Sequence, residues 1–222
     1  MRTNQDYKNA ALDALRGNWA PFVIGTLVFA VIALVCSGGN AAPQFIQPAA
    51  SSGTGLILGL CSISFLLTIF VVNPMIVGYD NAMRVFREKG DADFLHNMFQ
   101  FATSNYLHKV LGMFLMELKI TLWTFLFVIP GIIMSFAYAM TPYILEEHPE
   151  IGAWEASTRS REMMKGHKFD LFWLYLSFIG WVILCILTFG IGLLWLSPYI
   201  SAAEIGFYND LKAEQGEPAV TP

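Results

Sequence analysis

Charged residues are scarce in this 222-residue chain, where they make up 14% of the sequence while hydrophobic residues make up 55%. A soluble globular domain carries roughly a quarter charged residues, so the composition argues against an ordinary soluble fold. The few basic residues form no stripe of the kind that binds nucleic acid. The composition therefore predicts a membrane protein with no nucleic-acid partner.

Cysteine is also rare, and its three positions argue against a metal or redox site. Cys36, Cys61 and Cys185 lie within or at the edge of apolar runs, with no CxxC pair and no spacing against histidine. Each is therefore predicted to be a small buried hydrophobe. The four histidines contain no HExxH motif, so no metal site is predicted.

Motifs that carry catalysis are missing from the sequence. It contains no GxSxG, no P-loop, no GxGxxG and no paired carboxylates of the kind that acid–base catalysis uses. Ser157 and Ser160 lie beside Arg159 and Arg161 with no positioned base, so neither is a convincing nucleophile. The prediction is a protein that is not an enzyme and needs no cofactor.

Apolar runs near the length of a bilayer core dominate what remains. Because a core of about 30 Å needs about 20 helical residues, we predict an all-α polytopic bundle of about six spans. These are residues 19–36, 56–79, 110–128, 132–145, 169–187 and 193–207. An uncharged linker at 37–55 and turns at Pro130–Gly131 and Thr188–Gly192 would make three helical hairpins. As a helix, the fourth run would be roughly 21 Å long, so whether it crosses the bilayer fully is left open.

Lysine and arginine are segregated by these runs. They precede the first run, fall between the second and third and between the fourth and fifth, and follow the sixth; Lys119 is the exception. Since short loops rich in Lys and Arg stay cytoplasmic, both termini are predicted to be cytoplasmic. A single tilted helix over 110–145 would break this rule. We expect one membrane domain over 1–211 and a flexible polar tail over 212–222.

Three segments on the predicted cytoplasmic side have helical amphipathic patterns. They cover residues 3–16, 91–106 and 149–165. Thr3 and Asp6 have capping-box spacing, with Asp where Glu or Gln is usual. Apolar residues on one face of each segment predict short helices that lie on the inner face of the membrane.

The basic residues between the fourth and fifth runs form a candidate binding patch. We define the basic patch as Arg159, Arg161, Lys165, His167 and Lys168. Basic side chains beside an anionic leaflet contribute about 1 kcal/mol each. The patch is predicted to bind membrane lipids or another membrane protein, and the competing interpretation is that its charges only set topology.

Among the charged residues inside predicted spans, Glu117, Lys119 and Glu204 are the candidate intramembrane polar residues. Charges at membrane depth are costly and often functional, which supports an alternative function as a small-molecule transporter or channel. That alternative would use Glu117, Lys119 and helices broken by Pro74, Pro142 and Pro198. The structural interpretation is that Glu117 and Lys119 snorkel and that Glu204 neutralises a basic loop residue such as Lys168 or Arg16.

Several longer motifs resemble a known family. The sequences LWTFLFVIPGII (122–133), MTPYIL (140–145) and SREMMKGHK (160–168) closely resemble bacterial membrane proteins catalogued as domain of unknown function nine-seven-five. The opening ALRGNW (14–19) extends the resemblance over nearly the whole chain. The resemblance implies a multi-pass protein of the bacterial cytoplasmic membrane, and it brings no agreed activity and no established catalytic residues.

Overall fold

The computed structural model describes residues 2–45, 62–90, 93–102, 105–126 and 128–216. Within these ranges all regular secondary structure is helical, which confirms the predicted all-α class. Residues 46–61, which hold the rest of the predicted linker and the start of the second predicted span, lie outside the described residues.

The described helices follow one another closely along the chain. They are α1 (Asn4–Leu15), α2 (Trp19–Phe45), α3 (Asn73–Lys89), α4 (Phe94–Phe99), α5 (Tyr106–Leu126), α6 (Val128–Ala137), α7 (Thr141–Glu147), α8 (Ala153–Met163), α9 (Lys168–Leu176), α10 (Ile179–Leu187) and α11 (Leu193–Glu214). Residues 62–67 are also helical, and a π-helical turn at Thr68–Val72 joins them to α3.

Helix α1 begins at the predicted capping box. The Thr3 hydroxyl accepts a hydrogen bond from the Asp6 N–H at 3.3 Å, and the Thr3 N–H donates to the Asp6 carboxylate at 2.9 Å. The apolar side of α1 packs on α11, where the rings of Tyr7 and Phe207 lie 5.7 Å apart. This helix therefore buries its apolar face in protein, contrary to the prediction that it lies on the membrane surface.

The predicted interfacial helix at 91–106 is also docked in the protein. Among the described residues of this segment, α4 and the short 3₁₀ turn after it are helical before α5 begins, and Phe94 and Met98 are buried. The Phe94 ring lies 4.9 Å from Phe22 and 5.2 Å from Tyr79. Gly25 permits this approach because a Cβ there would overlap the Phe94 ring.

Three helical segments are long and apolar enough to cross a membrane, judged by length and composition within the described residues. They cover Trp19–Cys36, Ser62–Arg87 and Lys168–Leu187. Large side chains along them are open to the surroundings, for example Val35 at 73% and Ile186 at 71% exposure. Apolar surface on this scale fits contact with lipid better than contact with water.

Helix α2 continues beyond the first predicted span. It runs to Phe45, so residues 37–45 are helical and do not belong to an extended linker. The segment at 168–187 consists of α9 and α10 on either side of Ser177 and Phe178.

Helices α6 and α7 run back along α5. The Lys109 Nζ lies 2.6 Å from a Glu146 oxygen at one end of the pair, and Gly131 lies against Thr124 at the other. However, Pro130 and Gly131 lie inside α6, so they do not form the predicted turn. The predicted fourth span at 132–145 is interrupted at residues 138–140. Its 10-residue helix α6 is about 15 Å long, too short to cross.

Two surface grooves conflict with six full crossings. Ile129, beside the predicted outer turn, lines one groove with Lys165 and Lys168 of the predicted inner loop. Gly192, in the other predicted outer turn, lines a second groove with Trp19. A bilayer core of about 30 Å would separate such residues, so the six-span arrangement is not supported as a whole.

The C-terminal helix α11 reaches further than predicted. It continues to Glu214, and Lys212 is buried and pairs with Glu147 of α7. The predicted tail over 212–222 was therefore placed too early, because residues 212–214 belong to the packed helix. Residues 217–222 lie outside the described part of the chain.

Candidate functional sites

The basic groove lies between α6 and the start of α9. It has a volume of about 440 Å³ and a lining that is apolar apart from two lysines. Its lining residues are Ile129, Ile132, Ile133, Phe136, Lys165, Gly166, Lys168, Phe169 and Phe172. Ligand sites commonly combine this size with an apolar wall and a few charged groups, so the groove suits an amphiphile with a negative charge.

The structure divides the predicted basic patch. Lys165 and Lys168 flank the basic groove. Arg161, in contrast, is exposed and close enough to Lys119 of α5 for the two positive charges to repel each other. Arg159 interacts with Glu150, in the loop before α8. The patch is therefore not one continuous surface, and two of its five members meet at the groove.

His167 faces away from the basic groove toward acidic side chains. Its Nδ1 lies 3.2 Å from Asp170, and its Nε2 lies 3.2 Å from Glu214 at the end of α11. These contacts connect the α8–α9 turn to α11, so His167 has a structural role.

Lys119 is held by α8. Its Nζ lies 2.6 Å from the Ser157 hydroxyl, and it sits 3.7 Å from the centroid of the Trp154 ring. A lysine over a tryptophan face is stabilised by the ring quadrupole, so Lys119 has partners in α8 and does not line an open polar path. Glu117 is half-buried and has no ion-pair or hydrogen-bond partner among the residues that the structure describes.

Glu204 belongs to an interior polar cluster with Asp80, Tyr143 and Tyr175. The Tyr143 hydroxyl donates to the Glu204 carboxylate at 3.0 Å, and Tyr175 also hydrogen bonds to it. Asp80 of α3 interacts electrostatically with Glu204. The expectation that Glu204 neutralises Lys168 or Arg16 was wrong: Arg16 lies 3.6 Å from Asp13, and tyrosines satisfy Glu204.

Sequence patterns offer little sign of this interior polar cluster. Asp80 directly follows the second predicted span, and Tyr143 and Tyr175 are uncharged residues within apolar runs. Asp80 and Glu204 lie deep among protein atoms, yet each keeps some accessible surface. Two carboxylates in such a place can accept hydrogen bonds or attract a cation. Within the described residues, no group of three or more acidic, histidine or cysteine side chains could hold a metal.

A second set of contacts joins α7 to the C-terminal half of α11. The Tyr208 ring stacks on Tyr143 with centroids 5.3 Å apart, and its hydroxyl donates to Glu147 at 2.7 Å. Burial tends to raise the pKa of Glu147, but hydrogen bonds from Lys212 and Tyr208 outweigh it and leave that pKa below its usual value. The ionised carboxylate thus fixes α11 beside the interior polar cluster.

Helix α1 is anchored at its first residues. Asp210 of α11 accepts hydrogen bonds from the Arg2 guanidinium at 2.6 Å and from the Tyr7 hydroxyl at 2.8 Å. Burial raises the pKa of Asp210, but these donors outweigh it and hold the pKa below its ordinary value. Lys8 donates to the Ser177 carbonyl at 2.5 Å, and burial lowers its pKa. These contacts place α1 against both α9 and α11.

Helices α6 to α11 carry the basic groove and most of the interior polar cluster, and this part of the chain has recognisable relatives. Residues 125–215 match the family model of DUF975, a protein of unknown function. The match confirms the resemblance over this part of the chain. The DUF975 region contains Lys165, Lys168, Tyr143 and Glu204, whereas Asp80 lies before it. No curated protein and no solved structure matches the chain significantly.

Proposed function

We propose that the protein is a non-enzymatic membrane component that binds anionic lipid headgroups through Lys165 and Lys168, the two members of the basic patch that lie at the basic groove. The observation that carries this proposal is the basic groove, where Lys165 and Lys168 adjoin exposed apolar side chains. Phe169, the residue after Lys168, is 76% exposed. A bilayer that covers this apolar surface would bring its headgroups to the two lysines. Basic side chains beside an anionic leaflet contribute about 1 kcal/mol each.

The test is charge reversal of the two groove lysines. The variant K165E/K168E, purified in detergent, should retain less anionic lipid than the wild type, as measured by mass spectrometry of bound lipid. Arg16→Glu is the matched control, because Arg16 is 85% exposed and pairs only with Asp13 among the described residues. Equal retention by K165E/K168E and the wild type would contradict the proposal. Loss of a co-purified protein with lipid retention unchanged would assign the patch to a partner membrane protein.

The proposed location is the bacterial cytoplasmic membrane, with both termini in the cytoplasm. The three candidate spans support insertion into a membrane. The segregation of lysine and arginine, together with the contact between Arg2 and Asp210, supports placing both termini on one side. In intact cells, K165C should resist a membrane-impermeant maleimide and react after permeabilisation. The variant carries Cys61→Ser as well, and the remaining Cys36 and Cys185 are buried and free, so their labelling should be slow. Labelling of K165C from outside intact cells would refute this orientation.

Transport is the second candidate function. The interior polar cluster is a better candidate for its site than Glu117 and Lys119. Asp80 and Glu204 are deep in the protein but retain accessible surface, as residues on a polar path would. If the protein transports ions or protons, E204Q should reduce flux into proteoliposomes while E117Q should not. Absence of any flux with the wild type would leave lipid binding as the better proposal.

A further inference from the structure

The basic groove continues along the protein away from its lysines. It meets another groove, of about 480 Å³, at two shared residues, Phe136 and Phe172. This apolar groove is distinct from the one beside Trp19, and it is lined by Ser135, Phe136, Ala139, Phe172, Tyr175, Leu176, Ile179 and Val182. Together the two grooves extend from the α8–α9 turn onto α10, with charge at one end and apolar walls beyond it.

The length of this path matches an acyl chain. Lys168 and Val182 are 14 positions apart in one candidate spanning segment, which corresponds to at most about 21 Å along a helix axis. One leaflet of hydrocarbon is about 15 Å deep, half of the bilayer core. An acyl chain that follows the grooves would therefore be covered along its length while its headgroup remained beside Lys165 and Lys168.

Electrostatics select among possible amphiphiles. The two groove lysines have no acidic partner among the described residues, whereas nearby His167 is already beside Asp170 and Glu214. The phosphodiester of an anionic phospholipid, placed beside Lys165 and Lys168, would neutralise one of their two positive charges. A zwitterionic headgroup would carry its own cation and gain less.

We propose that the two grooves form a binding site for one anionic phospholipid, with its phosphate at Lys165 and Lys168 and an acyl chain across Phe136 and Phe172. This inference rests on the proposed function and makes it more specific, because it requires a bound molecule in a fixed place. A diffuse attraction between a basic surface and the membrane would not need the apolar walls.

The test titrates the detergent-purified full chain with phosphatidylglycerol, phosphatidylcholine or glycerol 3-phosphate, and counts bound molecules by native mass spectrometry. At about fivefold per basic side chain, K165Q/K168Q should weaken phosphatidylglycerol binding about thirtyfold and leave phosphatidylcholine binding unchanged. Ile133→Trp would fill part of the basic groove with a larger side chain and should weaken the binding of both lipids. Ile183→Trp is its control, since Ile183 is 54% exposed on α10 and lines neither groove.

The outcomes separate this inference from the broader proposal. If K165Q/K168Q binds weakly but I133W binds like the wild type, headgroups bind without the groove and this inference fails alone. If both variants bind like the wild type, the lipid-binding function fails too. Glycerol 3-phosphate binding as tightly as phosphatidylglycerol would identify a free phosphate site and overturn the acyl-chain assignment. Phe169 is 76% exposed, so Phe169→Ala removes apolar surface from the groove without disturbing the core. This variant should also bind both lipids more weakly.

Discussion

The buried ion pair between Lys109 and Glu146 should be among the most sensitive points of the fold. Lys109 is 2% and Glu146 is 13% exposed, and their charged atoms lie 2.6 Å apart. The contact does not satisfy hydrogen-bond geometry, and neither atom has another hydrogen-bond partner among the described residues. Ionic attraction is therefore the compensation for burying both charges. Lys109→Met would keep the side-chain length and leave the Glu146 carboxylate unpaired.

Breaking a buried pair from one side costs about 3–5 kcal/mol, whereas replacing both partners by apolar groups is often nearly neutral. For a chain of this size each kcal/mol lowers Tm by about 2–4 °C, so K109M should lose roughly 6–20 °C. The double variant K109M/E146M should recover much of that loss. Unfolding in detergent can be followed with a thiol-reactive dye in a Cys61→Ser background, because Cys36 and Cys185 are buried.

Arg16→Met provides the control for this experiment, since its side chain is 85% exposed and the surface pair with Asp13 should contribute little. The reasoning would be refuted if K109M lost less than about 1 kcal/mol. It would also be refuted if the double variant lost the sum of both single losses, because that result would mean the two charges do not depend on each other.

Other contacts give further predictions in the same unfolding assay. D210N should lose about 1–2 kcal/mol of unfolding free energy at neutral pH. Because the pKa of Asp210 is lowered in the folded protein, the greater stability of the wild type should be present above about pH 4. It should disappear as the pH falls through the folded-state pKa. An advantage that grew on acidification would contradict this sign. Gly25→Ala should cost about 1–3 kcal/mol through overlap with a neighbouring ring, whereas Gly180→Ala, with open space, should be neutral or slightly stabilising. K119A should cost about 1–3 kcal/mol and E117Q less than about 0.5 kcal/mol, and equal losses would argue against the α8 contacts.

Local signals in the sequence predicted local structure well. Thr3 and Asp6 form the capping box, and the apolar runs are helical wherever the structure describes them. The hydrophobic stripe of α1 was also visible as a pattern. What covers that stripe depends on α11, which lies about 200 residues away and leaves no trace in local periodicity.

The structure describes three candidate spans where the sequence predicts about six, and the six-span arrangement is not confirmed. Hydropathy measures apolar content, but it does not distinguish a helix that crosses lipid from one that is interrupted and packs on its neighbour. The segment at 132–145 illustrates this, because its break at residues 138–140 separates two short helices. The three prolines that looked alike also differ: Pro74 follows a π-helical turn, Pro142 lies in the first turn of a helix and Pro198 lies within one.

The interior polar cluster could not be predicted because its members come from four separate helices. Glu204 was conspicuous as a charge inside an apolar run, but its partners Tyr143 and Tyr175 carry no charge and fit any membrane helix. Asp80 was assigned by its position near basic residues to the polar side of the second span. Only the packing of α3, α7 and α9 against α11 brings these groups together.

The anchoring of the first helix by the last has a consequence for how the chain is made. Arg2 and Asp210 are separated by 208 positions, so the ribosome must synthesise all of the intervening residues before α1 meets its docking surface. At about 5–20 residues per second, that interval is roughly 10–40 s. Throughout it, the tyrosine and lysine of α1 lack their partners and must be accommodated by water, lipid or a chaperone, so α1 depends on its surroundings during biogenesis.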